Sequence, residues 1–204
     1  MDHTGSQSND MKPITLQGKS VRLDPLLPEH APILWDAAKD KDNAEEIFRW
    51  IPYSMRTMED FQKTVGKALS EQGRGESVPF VTVEQSSGRI IGSTRFMNID
   101  RANRRAEIGS TWIAPAWQRT AINTEAKYLM LRHAFETWGC IRVELKTDAL
   151  NQKSRNAILR LGAKEEGTLR QHMVTCTGRL RDTIYFSILD KEWPEVKARL
   201  DGKL

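Results

Sequence analysis

The order of strand-like and helix-like segments constrains the fold of this chain more than any single motif. Three strand-like segments follow one another at residues 78–85, 89–99 and 106–113, with a Ser-Ser-Gly turn between the first two. A single strand–helix–strand crossover follows them, at residues 106–147. Consecutive strands pair antiparallel, whereas a crossover makes a parallel pair. The sequence therefore predicts an α+β fold with a central mixed, mostly antiparallel sheet flanked by helices, and not a doubly wound nucleotide-binding fold.

Turn and cap residues mark where the other segments begin and end. Thr57 and Asp60 resemble a capping box, and Asn123 or Thr124 is predicted to cap the long buried helix that follows the third strand. Gly162 predicts the end of the helix before it. Further strands are predicted at residues 20–26, 141–147, 163–173 and 181–189, and helices at 28–39, 45–51, 57–70, 124–138, 151–161 and from about 192.

The bulk composition limits the classes of protein to which the chain can belong. Its 204 residues are enough for one domain, assigned to residues 13–204, while the polar residues 1–12 are expected to form a flexible tail. No apolar run approaches the ~20 residues of a membrane helix and no signal-peptide core is found, so we expect a cytoplasmic protein without a membrane partner. The 31 basic and 27 acidic residues are interspersed, which argues against nucleic acid as a partner. Cys140 and Cys176 are too few for a metal cluster and are expected to be reduced thiols.

The stretch with the clearest chemical meaning joins the third strand to the long buried helix. It reads Gln-Arg-Thr-Ala-Ile-Asn-Thr at residues 118–124. Backbone N–H groups at a helix start have no helical partner, and together with the positive end of the helix dipole they suit a phosphate or pyrophosphate. Arg119 adds a positive charge at the same place. Most helix starts bind only water, so this stretch alone indicates anion binding weakly.

Residues 118–123 are similar to the Q/R-x-x-G-x-G/A pyrophosphate loop of the GNAT acetyltransferases, with Ala121 and Asn123 where that family usually has glycine or a small residue. Asn151-x-x-Ser154 followed by Leu-Gly-Ala at residues 161–163 looks like the family's N-x-x-S segment, which meets the pantetheine arm. The element order also matches the family along nearly the whole chain after residue 13. The opening G-x-x-V-R-L at residues 18–23, Glu-Gly-Thr-Leu-Arg at 166–170 and the strand at 182–188 resemble the subgroup that acetylates the N-termini of ribosomal proteins.

This resemblance implies the GNAT acyl-CoA N-acyltransferase fold and direct transfer of an acetyl group from acetyl-CoA to an amine acceptor, without a metal. Homodimers are common in the family, and the acceptor is a protein or peptide N-terminus or a small-molecule amine. A catalytically degenerate domain that binds CoA as a sensor or partner-binding module is the alternative. The residues that the resemblance assigns to acetyl-CoA are Trp112, Ile113, Gln118, Arg119, Thr120, Ala121, Ile122, Asn123, Thr124, Asn151, Ser154 and Arg155.

The resemblance also names candidate catalytic residues. Ile113 is its likeliest backbone donor to the thioester carbonyl, as an oxyanion donor. Glu107 lies eleven residues before Gln118, the spacing of the general base in some members; the alternative is a carboxylate at a strand end that pairs with nearby Arg104 or Arg105. Ser154 is the candidate acid or thiol partner, unless it serves only in an Asn-x-x-Ser cap.

Other positions carry weaker signals. Some ribosomal-protein enzymes place a carboxylate base near the position of Met173, which cannot act as one; neighbouring His172 is a substitute candidate or a structural residue. Trp35, Trp50 and Tyr53 are predicted to line either a substrate groove or the core.

Overall fold

A computed structural model describes residues 13–38 and 44–204, without the side chains of residues 44 and 45. The predicted tail at residues 1–12 and the predicted end of the first helix at Lys39 lie outside the described residues. No helix in the described part is both long and apolar enough to cross a membrane.

The strands are β1 (Leu16–Gln17), β2 (Val21–Pro25), β3 (Val78–Glu84), β4 (Ile90–Asp100), β5 (Arg105–Ile113), β6 (Arg142–Asp148), β7 (Lys164–Val174) and β8 (Leu180–Leu189). The helices are α1 (His30–Ala38), α2 (Ala44–Phe48), α3 (Met58–Gly73), α4 (Ile122–Arg132), α5 (Gln152–Leu161) and α6 (Trp193–Asp201).

All eight strands form one sheet in the order β1-β2-β3-β4-β5-β6-β8-β7. Every neighbouring pair is antiparallel except β5 and β6, which α4 connects as a parallel crossover. The predicted mixed, mostly antiparallel sheet is therefore confirmed. The strand β1 was not predicted because two residues carry no readable periodicity.

The parallel pair β5–β6 is short. Its registered partners are residues 105–107 of β5 and 142–144 of β6, although β5 continues to Ile113 and β6 to Asp148. Beyond Glu107 the two strands separate, so that one edge of the second half of β5 faces a gap within the sheet.

A bulge in β5 lies at the start of this separation. Trp112 pairs with Ser93 of β4, but the next registered pair is Gly109 with Arg95, so β5 holds one more residue than β4 across this interval. Ser110 has a φ of 48°, a left-handed conformation that is uncommon for a residue with a side chain. Such an extra residue bends a strand and increases its twist, which accounts for the departure of β5 from β6.

The two faces of the sheet are covered differently. One face packs against α4, α5 and α6 and forms the larger core, which includes Phe96, Met130 and Phe186. The other face packs against α1, α2 and α3, but only along β2 to β5, around Phe61 and Trp112. The polar side chains of β6 and β8, among them Lys146, project from this second face, where none of the described helices covers them.

Two of the predicted caps are confirmed. Thr57 and Asp60 form a capping box at α3, and Asp60 also accepts from Ser54, so the pKa of the Asp60 carboxyl lies below its ordinary value. The side chain of Asn151 accepts from the backbone N–H of Ser154, and Gly162 ends α5 in the left-handed conformation (φ 97°).

The predicted cap of α4 is wrong. The helix begins at Ile122, and the cap position is held by Ala121, which has no side-chain acceptor. The chain enters α4 from a one-turn 3-10 helix at Pro115–Trp117 and a short loop. Because Ala121 already has near-helical dihedrals, Asn123 and Thr124 lie inside the first turn of α4. The C-terminal end of the predicted helix is a π-helical turn, His133–Thr137.

Helix α4 also carries a buried lysine. Lys127 is 5% exposed, and its Nζ donates to the hydroxyls of Thr94 on β4 (3.0 Å) and Thr111 on β5. Among the described residues its hydrogen-bond partners are these hydroxyls and not a carboxylate. Burial without a counter-charge lowers the pKa of Lys127 to about 7.

We expect Lys127→Met to be more stable than the wild type at pH 6, by about 1–3 kcal/mol, because an apolar side chain of similar volume removes a buried charge. The unfolded chain has the ordinary lysine pKa of 10.5 and therefore binds more protons than the folded chain above pH 7. The free energy of unfolding of the wild type therefore rises between pH 7 and pH 10.5, and the difference in stability between Lys127→Met and the wild type shrinks. Urea denaturation of both proteins at pH 6 and pH 9.5 measures this difference. If it is the same at both pH values, the lowered pKa of Lys127 is contradicted.

Candidate functional site

The side chain of Gln118 connects the end of β5 to the start of α5. Its Nε2 donates to the carbonyl oxygen of Ile113 (2.8 Å), and its Oε1 accepts from Lys153 Nζ in the first turn of α5. The loop that precedes α4, the open end of β5 and the first turn of α5 are thereby brought together. Lys153 was missed at the sequence level because a lysine in a helical first turn carries no specific signal.

The loop between β5 and α4 presents backbone donors to solvent. Within the described part of the chain, no hydrogen bond uses the backbone N–H of five of its residues, while Thr120 Oγ donates to the carbonyl of Trp117 (2.7 Å) and braces the turn. Free donors of this kind, together with the positive end of a helix, suit an anion. The five residues are Arg119, Thr120, Ala121, Asn123 and Thr124.

The strained residue of this loop is Arg119 and not Asn123. Arg119 has a φ of 63°, whereas Asn123 belongs to the regular helix. The guanidinium of Arg119 is exposed at the edge of the loop, where it can meet an anion. Ile122 is buried in the larger core, so only its main chain can contact a ligand there.

The open edge of β5 carries main-chain groups that face the gap. The N–H of Ala114 bonds to Ile91 of β4 (2.7 Å), so alternation along the strand turns the N–H of Ile113, and that of Thr111, towards the gap. The side chain of Trp112, by contrast, packs in the core against Phe48 at a ring separation of 5.4 Å. Trp112 can therefore contribute to a ligand site only through its main chain.

Helix α5 borders the gap from the side of β6. Ser154 is half-buried in its first turn beside Asn151, whose side-chain oxygen is used as the helix cap. Arg155 forms an ion pair with Glu165 (2.8 Å). The Asn-x-x-Ser pattern is thus a cap through the backbone N–H of Ser154, and this leaves the Ser154 hydroxyl outside the cap.

Glu107 lies at the opposite end of β5, on the same sheet face as Lys146 of β6. It is 2% exposed, and its Oε2 accepts from Asn98 Nδ2 (2.7 Å) and pairs with Lys146 Nζ (2.9 Å). The suggested pairing with Arg104 or Arg105 is wrong: Arg104 donates to the carbonyl of Gly139, and Arg105 pairs with Asp100 and Glu144. The pattern could not reveal this, because a strand residue pairs with neighbours on adjoining strands.

A cleft of about 770 Å³ opens beside Glu107. Its walls carry both carboxylates and cations, so these charges largely neutralise one another. The charged lining residues are Asp100, Glu107, Glu144, Arg101 and Arg105, and Tyr185 also lines the cleft. Gly109 lies next to Glu107, and a Cβ there would come within 3.0 Å of Glu107 Oε1 and 2.8 Å of Met97 Sδ. The missing side chain of Gly109 leaves Oε1 room on this face.

The aromatic candidates take different positions. Trp35 packs on the core edge-to-face with Phe61 (5.5 Å), whereas Trp50 lies half-buried under the guanidinium of Arg179 (5.5 Å). Tyr53 lines a small apolar cavity of about 40 Å³, and its hydroxyl contacts Ser110 Oγ (3.3 Å) at the bulge.

The histidine candidate lies on the edge strand β7. His172 is exposed, and its ring lies edge-on to that of Tyr185 (5.8 Å), at the cleft rather than beside the loop. Met173 follows a register shift in β7. Among the described residues, no three or more His, Cys, Asp or Glu side chains are grouped as metal ligands would be.

Comparisons with known proteins agree on the family. A profile described as an acetyltransferase (GNAT) domain matches residues 20–164. A protein of Bacillus subtilis (strain 168), named "Putative ribosomal N-acetyltransferase YdaF", is 36% identical over 106 residues, which are 52% of this chain and 57% of that protein. The match thus spans little more than half of that relative.

Solved structures give the same result over more of the chain. A GCN5-related N-acetyltransferase from Brucella melitensis is 34% identical with a TM-score of 0.84, over 94% of this chain and 85% of that one. Mycobacterium smegmatis RimJ, solved in complex with CoA-disulfide, shares the fold at 23% identity with a TM-score of 0.81, over 95% and 96%. The profile covers well over half of the chain, so this protein belongs to the GNAT acetyltransferase family.

Proposed function

We propose that the protein transfers an acetyl group from acetyl-CoA directly to a primary amine. The observation that carries this proposal is the separation of β5 from β6, which opens a line of main-chain donors and acceptors that ends at the anion-binding loop. A ligand with an extended amide-containing arm and a pyrophosphate at one end fits this arrangement. Acetyl-CoA, the family's co-substrate, has both features.

The loop before α4 holds the pyrophosphate in this proposal. The free N–H groups of residues 119–121, 123 and 124 donate to phosphate oxygens, and Arg119 supplies a mobile positive charge. Gln118 and Lys153 join the loop to α5, so Asn151, Ser154 and Arg155 border the pantetheine arm from the side of β6.

The open edge of β5 polarises the thioester carbonyl. Thr111 and Ile113 both direct an N–H into the gap, and Thr111 lies nearer to Glu107, four residues away along β5 against six for Ile113. Thr111 is therefore better placed than Ile113 to hold a carbonyl near an acceptor that enters from the cleft. A backbone donor in a fixed strand needs no reorganisation to stabilise developing negative charge.

Glu107 is the proposed base. Oε2 is held by Asn98 and Lys146, which keeps the carboxylate in place, while Oε1 is directed over Gly109. Because Glu107 lies several residues from the donors of β5, it takes the proton of the amine through an intervening water. The hydroxyl of Ser154 is the proposed proton donor to the departing CoA sulfur.

The polar cleft beside Glu107 is the proposed entry for the acceptor amine, as a peptide N-terminus or a small molecule. A cationic amine is attracted by Glu107, Glu144 and Asp100 but must compete with Arg105 and Lys146 for them. The relative named as a ribosomal N-acetyltransferase supports a peptide acceptor. A cytoplasmic location and a homodimer, common in the family, complete the proposal.

Release of free CoA against a panel of peptides, polyamines, amino acids and aminoglycosides tests the proposal as a whole. We expect turnover with at least one class. Tight CoA binding with no turnover across the panel would instead favour a CoA-binding sensor.

We expect Arg119→Glu to weaken acetyl-CoA binding at least about tenfold, roughly 1.4 kcal/mol, because it places a negative charge beside the phosphates. Arg119→Gly removes the charge and relieves the positive φ, so its loss should be smaller. Calorimetric titration measures the affinity of both variants for acetyl-CoA. The control is Arg56→Glu, the same charge reversal at another exposed arginine. Equal affinity of Arg119→Glu and Arg56→Glu would contradict the placement of the pyrophosphate.

We expect Glu107→Gln to lower kcat by about 10²-fold with little change in the Kd for CoA, the scale of a lost general base. Exposed Glu59, paired with Lys63 on α3, gives the control Glu59→Gln. Steady-state kinetics from pH 6 to 9 and thermal melts of both variants separate catalysis from folding. Wild-type turnover by folded Glu107→Gln would remove Glu107 from the mechanism.

A further inference from the structure

A buried lysine joins the cofactor-loop helix to the bulge in the central strand. Lys127 lies one and a half turns after the start of α4, and its Nζ reaches Thr111, directly after the left-handed residue Ser110. Its second acceptor, Thr94 Oγ, lies on β4 opposite the bulge, 2.8 Å from Thr111 Oγ. One ammonium group thus connects α4, β4 and β5 at the point where β5 leaves β6.

Among the residues that the structure describes, Lys127 donates to hydroxyls and pairs with no carboxylate. On α4 itself, Glu125 is directed away and accepts from the backbone N–H groups of Lys19 and Ser20 (2.6 and 2.9 Å). Met130 Sδ lies near Thr94 Oγ at 3.7 Å. A charge buried in this way costs stability that an apolar residue would not. Packing alone therefore does not account for a lysine at this position.

The group that Lys127 holds is part of the proposed machinery. Thr111 belongs to the open edge of β5, where its N–H faces the gap, and its side chain extends to Lys127 on the face of α4. On the opposite face, Ser110 Oγ accepts from Arg95 Nε (3.1 Å). The bulge is thus held from both faces. On the α4 side, Thr111 Oγ contacts Thr94 Oγ, and Lys127 donates to both hydroxyls and links them to the helix.

We propose that Lys127 is a positioning residue for acetyl transfer, which acts through Thr111 to keep the bulged segment of β5 aligned with the cofactor loop at the start of α4. This inference rests on the proposed function. Lys127 contacts the side chains of Thr94 and Thr111 and does not touch the reacting atoms. Its effect falls on the orientation of the N–H groups of Thr111 and Ile113.

The variants Lys127→Met and Thr111→Val, singly and combined, test this inference, with Arg132→Met as a charge-removing control on the exposed face of the same helix. We expect kcat to fall at least tenfold in each single variant, with the Kd for CoA within twofold of the wild type and no loss of thermal stability in Lys127→Met. The double variant should be no slower than the slower single variant, because both changes remove the same link.

Hydrogen exchange of the amides at residues 109–114 provides a readout that needs no acceptor. We expect exchange there to quicken at least tenfold in Lys127→Met and Thr111→Val, and to stay at the wild-type rate in Arg132→Met. If Lys127→Met does not fold, Thr111→Val carries both measurements.

Unchanged exchange, or a kcat within twofold of the wild type in the folded variants, would overturn the role of Lys127. If the wild type acetylates no amine in the panel, the proposed function fails, and exchange alone then decides whether Lys127 holds the bulge.

Discussion

The bulge at Ser110 and Thr111 is the feature on which the rest of the site depends. A regular β5 would continue to pair with β6 along its length, and its main-chain groups would be consumed by the sheet. The extra residue bends β5 away after only three registered positions, which exposes the edge that the proposed function uses. The conformation is held by side chains from both faces: Arg95 and Tyr53 on Ser110, and Lys127 on Thr111.

The charges of the open face are arranged as local networks rather than as a single field. Glu107 pairs with Lys146, Glu144 with Arg105 and Arg142, and Asp148 with Arg179. Each carboxylate at the cleft is thus already partnered, which orients it and limits the attraction that it exerts at a distance. Selectivity for an acceptor would then depend on contacts at close range, where an incoming amine replaces one of these partners.

The glycine-poor loop still offers free donors at a helix start, as the proposed anion site requires, because these donors are main-chain groups. Ala121 and Asn123 replace the residues usual in the family, yet the left-handed conformation falls on Arg119. Ala121 holds the cap position without a side-chain acceptor, so α4 begins without a side-chain cap. An uncapped start leaves more N–H groups free than a capped one. The departure from the family pattern therefore changes which residue is strained without closing the site.

Local sequence signals predicted the features that depend on neighbours along the chain. The capping box of Thr57 and Asp60, the cap by Asn151 and the end of α5 at Gly162 follow from residue types at fixed spacing, and they were confirmed. The exception was α4, where the cap residue was misplaced by two or three positions, because the preceding 3-10 turn shifts the start of the helix and leaves no periodic trace.

The sequence by itself determined the order of elements, hence the mixed sheet with one crossover, and it located the loop that is proposed to bind an anion. Only the tertiary structure decided what surrounds each candidate side chain. Glu107 meets Asn98 and Lys146 from adjoining strands, and Gln118 meets Lys153 from a helix that lies 35 residues further along the chain. The partners of Lys127 lie 16 and 33 residues away, on two strands. Strand register and the bulge bring these groups together, and periodicity within one segment contains no information about the register between two.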